Sequence, residues 1–343
     1  MKTDTMKNRF SSTSCDDNTT RNNSSSSNNK PATQDNSSSG SSSSNSSNSN
    51  SSISVLGRYL HVTTADLMNG NFNFSVKRHI GSGYAGNVYK CVVTQSSQSQ
   101  SQPHTHSGSD NPDGAGFVVA LKVLHKDTTK DRVALNEADL LKKASGSHVL
   151  KYFTSIECID AYWIITEYCS KGDLHGMLRH LDNFQVMGRG YMRDVIAGLE
   201  SLHDKFIVHA DIKMKNILIS DRNIAKIADF GFARQYSSED DRECVCHGTR
   251  DYWAPEMLQD GQSYNPFLAD IYALGVTFVG VCEKRPIKIK YDNIHHIVNK
   301  FQDQHQMALF RGLLSNSSER WDLAKAKANI WLNGEEIIYF GSC

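Results

Sequence analysis

His209-Ala210-Asp211-Ile212-Lys213-Met214-Lys215-Asn216, followed a short way on by Asp229-Phe230-Gly231, decides how this chain is read. Apolar residues flank the first segment on both sides, Ile207-Val208 before it and Ile217-Leu218-Ile219 after it, so a turn of ordinary surface residues is a poor account of it. Asp211 is a carboxylate able to take or orient a proton. Asn216 and Asp229 are hard oxygen donors of the kind that hold Mg²⁺. One carboxylate near an attacking hydroxyl, with separate oxygen ligands for a cation, is what phosphoryl transfer needs, because that chemistry is mostly positioning and charge neutralisation.

Further blocks stand around these two. Upstream, Ile80-Gly81-Ser82-Gly83-Tyr84-Ala85-Gly86-Asn87-Val88 has the pattern Gly-x-Gly-x-x-Gly-x-Val, and Val119-Ala120-Leu121-Lys122 sets a lysine in an apolar run. Downstream come Ala254-Pro255-Glu256 and Asp270-Ile271-Tyr272-Ala273-Leu274-Gly275-Val276. A glycine pattern alone also marks ordinary turns and dinucleotide sites. In this order, from about residue 72 to about 334, the blocks resemble eukaryotic protein kinases. Lys213, two residues after Asp211, and Thr249 in Gly248-Thr249-Arg250 resemble the Ser/Thr branch of that family.

The chain has 343 residues, a formal charge of +0 and 38% hydrophobic residues, enough for a sizeable core in one large domain or two lobes. The balanced charge speaks against nucleic acid or an anionic membrane as the main partner, since both favour a basic excess. Met1 to Thr20 lacks an apolar signal region, and the longest apolar run, Ile271 to Cys282, suits a buried helix rather than a bilayer span. Eight cysteines without disulfide-like spacing fit a reducing compartment, so an intracellular location, cytoplasmic or nuclear, is expected. Cys244-Val245-Cys246-His247 lacks a second ligand pair, so an exposed loop is the better reading than a zinc site.

Residues 1–52 are dominated by Ser, Asn and Thr and cannot bury enough apolar surface to offset ordering entropy, which predicts a disordered tail. Residues 53–71 read as a linker and 335–343 as a C-terminal tail. A second polar tract, 94–116, lies between Val92-Val93 and Phe117-Val118-Val119-Ala120, both strand-like, and so reads as a long hairpin insertion. Phe74 to Ile80 alternates as a half-buried strand, with the turn beginning at Gly81, and Val133, Ala134, Leu140 and Leu141 mark a helix over Asp131–Lys143. Tyr162 to Glu167 reads as a strand, after which helical patterns dominate. Strands followed by helices make an α+β arrangement.

The resemblance implies a bilobal kinase domain over 72–334: a β-rich N-lobe at 72–166 with one main helix, a hinge at 167–170, and a helical C-lobe at 171–334. It implies ATP and Mg²⁺ as cofactors, protein Ser/Thr hydroxyls as acceptors, Asp211 as catalytic base, and Asn216 with Asp229 as metal ligands. Residues 80–88 would cover the phosphates, Val88, Ala120 and Leu218 would enclose the adenine, and Glu167, Cys169 and Asp173 would border the nucleotide. Asp173 reads equally as a helix N-cap. Lys122 is costly to bury unpaired; Glu137 is the expected partner, with Asp139 the fallback on a different helix face, about 200° away. Leu141, Phe230 and His209 would stack between the lobes, Asp270 would hold the catalytic-loop backbone, and Glu256 would pair with Arg320 ahead of a final helix, Trp321 to Trp331.

The family's usual arginine before the catalytic aspartate is Ala210 here, which predicts activity independent of a phosphate on the segment around Tyr236, Ser237 and Ser238. A pseudokinase scaffold is the alternative reading. A small-molecule kinase fits less well with the full Gly248–Glu256 segment. Lys284, Arg285, Lys288 and Lys290 read as a solvated basic face sooner than as a site for acidic peptides. Oligomeric state is not encoded in any motif.

Overall fold

Every second residue of three neighbouring strands is apolar, and that alternation builds the first half of the fold. The computed structural model describes residues 72–83, 86–95, 117–126, 131–178, 184–259, 261–289 and 291–334. The expected tail, the linker, the C-terminal tail and residues 96–116 of the insertion lie outside the described residues. Strands β1 (Phe72–Gly83), β2 (Gly86–Gln95), β3 (Phe117–His125), β4 (Tyr152–Glu157) and β5 (Ala161–Glu167) form one antiparallel sheet in the order β1-β2-β3-β5-β4. Tyr89, Cys91, Val93, Val119, Leu121, Val123, Trp163 and Ile165 bury one face in a shared core. The intervening residues Val88, Ala120 and Lys122 therefore point to the other face, where the register sets Val88 opposite Lys122 and Ala120 opposite Thr166.

Two boundaries differ from expectation. The strand β1 does not stop at Gly81; Gly81, Ser82 and Gly83 pair with Val88, Asn87 and Gly86, and register shifts at Val76/Arg78 and His79/Gly81 take up the mismatch. The shifts also break the alternation, leaving Arg78, His79 and Ile80 all exposed. At the far end Thr94 and Gln95 still belong to β2 because Asn73 and Phe72 pair with them, so the polar insertion begins after Gln95.

Helix α1 (Asp131–Ala144) packs Ala134, Glu137, Ala138, Leu140, Leu141 and Ala144 inward at three- and four-residue spacing. Beyond the hinge come α2 (Leu174–Met177), α3 (Phe184–His203), β6 (Ile207–Val208), β7 (Ile217–Ile219), β8 (Ala225–Ile227) and β9 (Arg234–Gln235). Strand β6 pairs with β9 and β7 with β8. The apolar run forms α4 (Pro266–Cys282), started by Asn265, whose side chain accepts from Phe267 N and Leu268 N, and buried along nearly its whole length. Against it pack α5 (Ile294–Val298) and α6 (Gln304–Leu313), while α7 (Leu323–Lys327) and α8 (Ile330–Asn333) pack on α3 and α6.

The single final helix expected over Trp321–Trp331 is instead two short ones. Asp322 caps α7 by accepting from Lys325 N at 2.7 Å, and Asn329 caps α8 by accepting from Leu332 N at 3.3 Å, so a side-chain acceptor restarts the helix where continuous periodicity suggested none. Among the described residues no helix is long and apolar enough to cross a membrane.

Candidate active site

The backbone of residues 209–212 is hung from α4. Asp270 accepts from His209 N at 2.7 Å and Ala210 N at 2.8 Å, and Thr277 Oγ1 donates to Ile212 O at 3.3 Å. His203 Nε2 lies 3.2 Å from the same Asp270 carboxylate, a contact the sequence did not suggest. His209 donates from Nε2 to Ala228 O at 3.0 Å while Nδ1 receives Asp211 N at 3.3 Å, which fixes its tautomer. Its ring meets Phe230 edge-on at 5.2 Å, and Leu141 is buried in the same core. Ala210 is left-handed at φ +61°, and its carbonyl lies so near Gly248 that a Cβ there would sit 2.1 Å from the oxygen. Gly248 has φ +79°, so that position needs glycine twice over.

This loop and the segment at Thr249 converge on Asp211. Lys213 Nζ donates to Asp211 Oδ2 at 2.6 Å and to Thr249 Oγ1 at 2.8 Å. Thr249 donates to Asp211 Oδ1 from its amide at 2.9 Å and from its hydroxyl at 2.7 Å. Asn216 Nδ2 donates to Asp211 O at 2.8 Å and Oδ2 at 2.9 Å, which uses both of its amide protons and leaves its Oδ1 out of these bonds. The Asp211 carboxylate is thus held from two sides before any acceptor arrives.

On the sheet side Lys122 Nζ reaches Glu137 Oε1 at 2.5 Å and Asp229 Oδ1 at 2.8 Å. Asp139 turns outward to pair with Lys143 at 2.7 Å, so helix phase decides for Glu137. Burial pushes the Lys122 ammonium down, but Glu137 and Asp229 hold it above the ordinary lysine range. Burial pushes the Glu137 carboxyl up against the pull of Lys122. Burial also acts to raise Asp229, yet the charge and hydrogen bond of Lys122, with Lys213 behind, hold it below the usual carboxylate value. Glu137 Oε2 is buried and has no hydrogen-bond partner among the described residues.

The residues expected around a nucleotide divide by what their neighbours allow. Val88, Ala120 and Leu218 are partly buried, the first two on the sheet face that carries Lys122. A Cβ at Gly81 would meet nothing within 4 Å, whereas at Gly86 it would lie 2.1 Å from Val123 O, so Gly86 answers to β3 rather than to a ligand. Ser82 Oγ donates to Asn87 Oδ1 at 2.8 Å across the hairpin, while Tyr84 and Ala85 lie outside the described residues. Glu167 Oε1 is engaged by Lys226 at 2.9 Å and Lys151 N at 2.6 Å, and the Glu167 amide donates to Lys151 O at 3.0 Å. Cys169 is buried, and Asp173 caps α2 by accepting from Gly176 N at 2.8 Å.

Framework residues meet as well. Arg320, its side chain fully buried, binds Glu256 through Nη1–Oε1 at 2.5 Å and Nη2–Oε2 at 3.0 Å. Cys246 Sγ donates to Met257 O at 3.0 Å, and among the described residues no three His, Cys, Asp or Glu side chains gather as metal ligands. Arg285 and Lys288 are neutralised by Asp292 and Asp251. The sequence reading missed Asn136, whose amide donates to Ala233 O at 3.1 Å and ties α1 to the segment after Asp229; a polar residue beside Glu137 is too common to signal this.

Comparison with known proteins matches residues 112–332 to the protein kinase domain. The serine/threonine-protein kinase cst-1 of Caenorhabditis elegans is 30% identical over 226 residues, 65% of this chain and 40% of that protein. The serine/threonine-protein kinase pakE of Dictyostelium discoideum is 33% identical over 218 residues, 62% of this chain and 21% of that protein. In ATG1a, a serine/threonine-protein kinase of Arabidopsis thaliana, the identity is 31% over 190 residues, 53% of this chain and 29% of that protein. The chain thus spans less than half the length of these relatives. Its loop, its lysine pair and the matched domain agree, and the chain belongs to the protein kinase family.

Proposed function

We propose that this chain is an active serine/threonine protein kinase that moves the γ-phosphate of ATP to protein hydroxyls, with Mg²⁺ as cofactor. The observation that carries the proposal is the convergence of Lys213, Asn216 and Thr249 on Asp211. A carboxylate held by three side chains is positioned to receive or orient the proton of an acceptor hydroxyl, and Lys213 beside it offsets charge on the transferring group. Lys122, anchored by Glu137, presents an ammonium to the phosphates on the cleft face of the sheet.

Asn216 and Asp229 suit Mg²⁺: both offer hard oxygens, Asn216 has Oδ1 to spare, and the Asp229 side chain is 45% exposed. Bound there, Mg²⁺ would neutralise phosphate oxygens. Mg²⁺ at such sites takes one or two protein ligands and completes its shell from water and substrate phosphates, so a larger cluster of carboxylates is not required. Unpaired cysteines among the described residues and balanced charge favour an intracellular setting, cytoplasmic or nuclear.

Incubating the full chain with radiolabelled ATP and a peptide library tests the proposal. Label in Ser and Thr is expected, with Asp211→Asn losing roughly 10²- to 10⁴-fold in kcat. ATP binding without transfer to any peptide would assign the scaffold reading, and label in Tyr would overturn the acceptor class.

A further inference from the structure

Four acidic residues, Glu239, Asp240, Asp241 and Glu243, look alike in the sequence and part company in the structure. Asp241 closes a local turn by accepting from Ser237 N at 2.7 Å and Ser238 N at 3.3 Å. Glu239 and Asp240 are exposed or nearly so. Glu243 is different. Its Oε1 accepts from Cys244 N at 2.9 Å and Val245 N at 3.1 Å, and its Oε2 accepts from the Tyr236 hydroxyl at 3.2 Å. Arg234 Nε and His247 Nε2 each lie 4.0 Å from Oε2, and His247 Nε2 is buried without another partner among the described residues. The Glu243 backbone exchanges two 2.9 Å hydrogen bonds with Tyr264, just ahead of α4.

These partners come from both ends of one segment. Arg234 and Tyr236 belong to β9 and the residue after it, and residues 244–247 lead into Gly248 and Thr249 at Asp211. Tyr264 donates its hydroxyl to Val245 O at 2.9 Å, and Trp253 Nε1 donates to His247 O at 2.7 Å, so the path from Glu243 to Thr249 is fastened along its length. Beside it, Ala210 supplies no guanidinium and lines a cavity with Tyr236, His247, Tyr264 and Asp270. Burial pushes the Glu243 carboxyl up, but the Val245 and Cys244 amides, Tyr236 and Arg234 bring it below the ordinary glutamate value.

We propose that Glu243 is a built-in anion that holds residues 234–249 in their substrate-receiving arrangement, as a positioning residue for transfer to the Ser/Thr acceptor. It supplies with a fixed charge the cross-link that a phosphate on the segment would supply with an added one. This rests on the proposed kinase activity, and the test separates the two.

The full chain, phosphatase-treated, is compared with Glu243→Gln, Glu243→Ala and Glu243→Asp. Gln keeps an acceptor for the amides and removes the charge, so the peptide KM should rise about tenfold while ATP affinity holds; Ala should lose more and Asp should recover part. Amide hydrogen exchange at residues 244–252 should quicken in Gln and Ala, with α4 amides unchanged. Unaltered peptide kinetics and exchange in both variants would overturn the proposal. So would loss of wild-type activity on phosphatase treatment, or exchange rising equally in α4, which would mark general destabilisation. If the wild type transfers no phosphate at all, the kinase reading fails while the exchange measurement still decides the role of Glu243.

Discussion

Asp211 and Asp229 are carboxylates of one site in opposite circumstances. The Asp211 side chain is 2% exposed and receives hydrogen bonds from Lys213, Asn216 and Thr249. Asp229 is 45% exposed at a left-handed φ of +66°, with Lys122 as its single ion-pair partner among the described residues. Close by, Glu137 leaves one buried oxygen unsatisfied, a circumstance that costs about 1–3 kcal/mol. The half we assign to transfer is thus complete in the protein alone, its geometry set by Lys213 and Asn216 close in the chain and by Thr249, 38 positions on. The half we assign to the phosphates is an arrangement of charges that a ligand would complete. Preorganised polar groups belong where charge develops during reaction, and open ones where a ligand must enter.

Beyond loss of Asp211 itself, the largest effect should come from breaking the open half. Lys122→Met and Glu137→Gln should each lower kcat/KM by roughly 10²- to 10³-fold, and the double variant should be little worse than the worse single one, as for groups acting together. Losses adding on a logarithmic scale in steady-state assays would separate the two residues. Lys122→Met should also cost stability, because it leaves the buried Glu137 carboxylate without its cation. Glu256→Gln strands the buried Arg320 guanidinium, and about 3 kcal/mol of unfolding free energy should be lost in a denaturant titration, with ATP affinity retained in the folded fraction.

A smaller loss is expected at the seam between Asp211 and its segment. Gly248→Ala forces the chain away from Ala210 O, and a displacement of about 1 Å there should lower peptide turnover roughly 10- to 100-fold in the same assay. Smallest of all should be removal of residues 1–52 with the 96–116 tract shortened to a Gly/Ser link. Neither carries the apolar residues of a core, so the unfolding free energy should shift by about 1 kcal/mol or less in thermal melts, with peptide turnover kept.

Much of this was legible because the relevant signals are local. Helix phase separated Glu137 from Asp139, whereas Val88 and Ala120 were placed by the resemblance, and the strand register now sets them on one face with Lys122. What the sequence hid depends on partners distant in the chain. Strand β1 continues through its glycines because β2 pairs with them, and Glu167 turns its carboxylate to Lys226, 59 positions on, a pairing no spacing rule announces. Asn329 reads as helix interior until its side chain is seen to cap. Among four acidic residues, only the approach of Tyr236, Arg234 and Tyr264 singles out Glu243.

The central claim, that one half of the site is built for transfer and the other for the nucleotide, is tested most directly by measuring MgATP affinity and single-turnover phosphate transfer for Asp211→Asn and Asp229→Asn side by side. The account predicts that Asp211→Asn binds MgATP within about twofold of wild type and transfers at least ~10²-fold more slowly, while Asp229→Asn loses MgATP affinity itself. Equal loss of affinity in both variants, or undiminished transfer by Asp211→Asn, would contradict it.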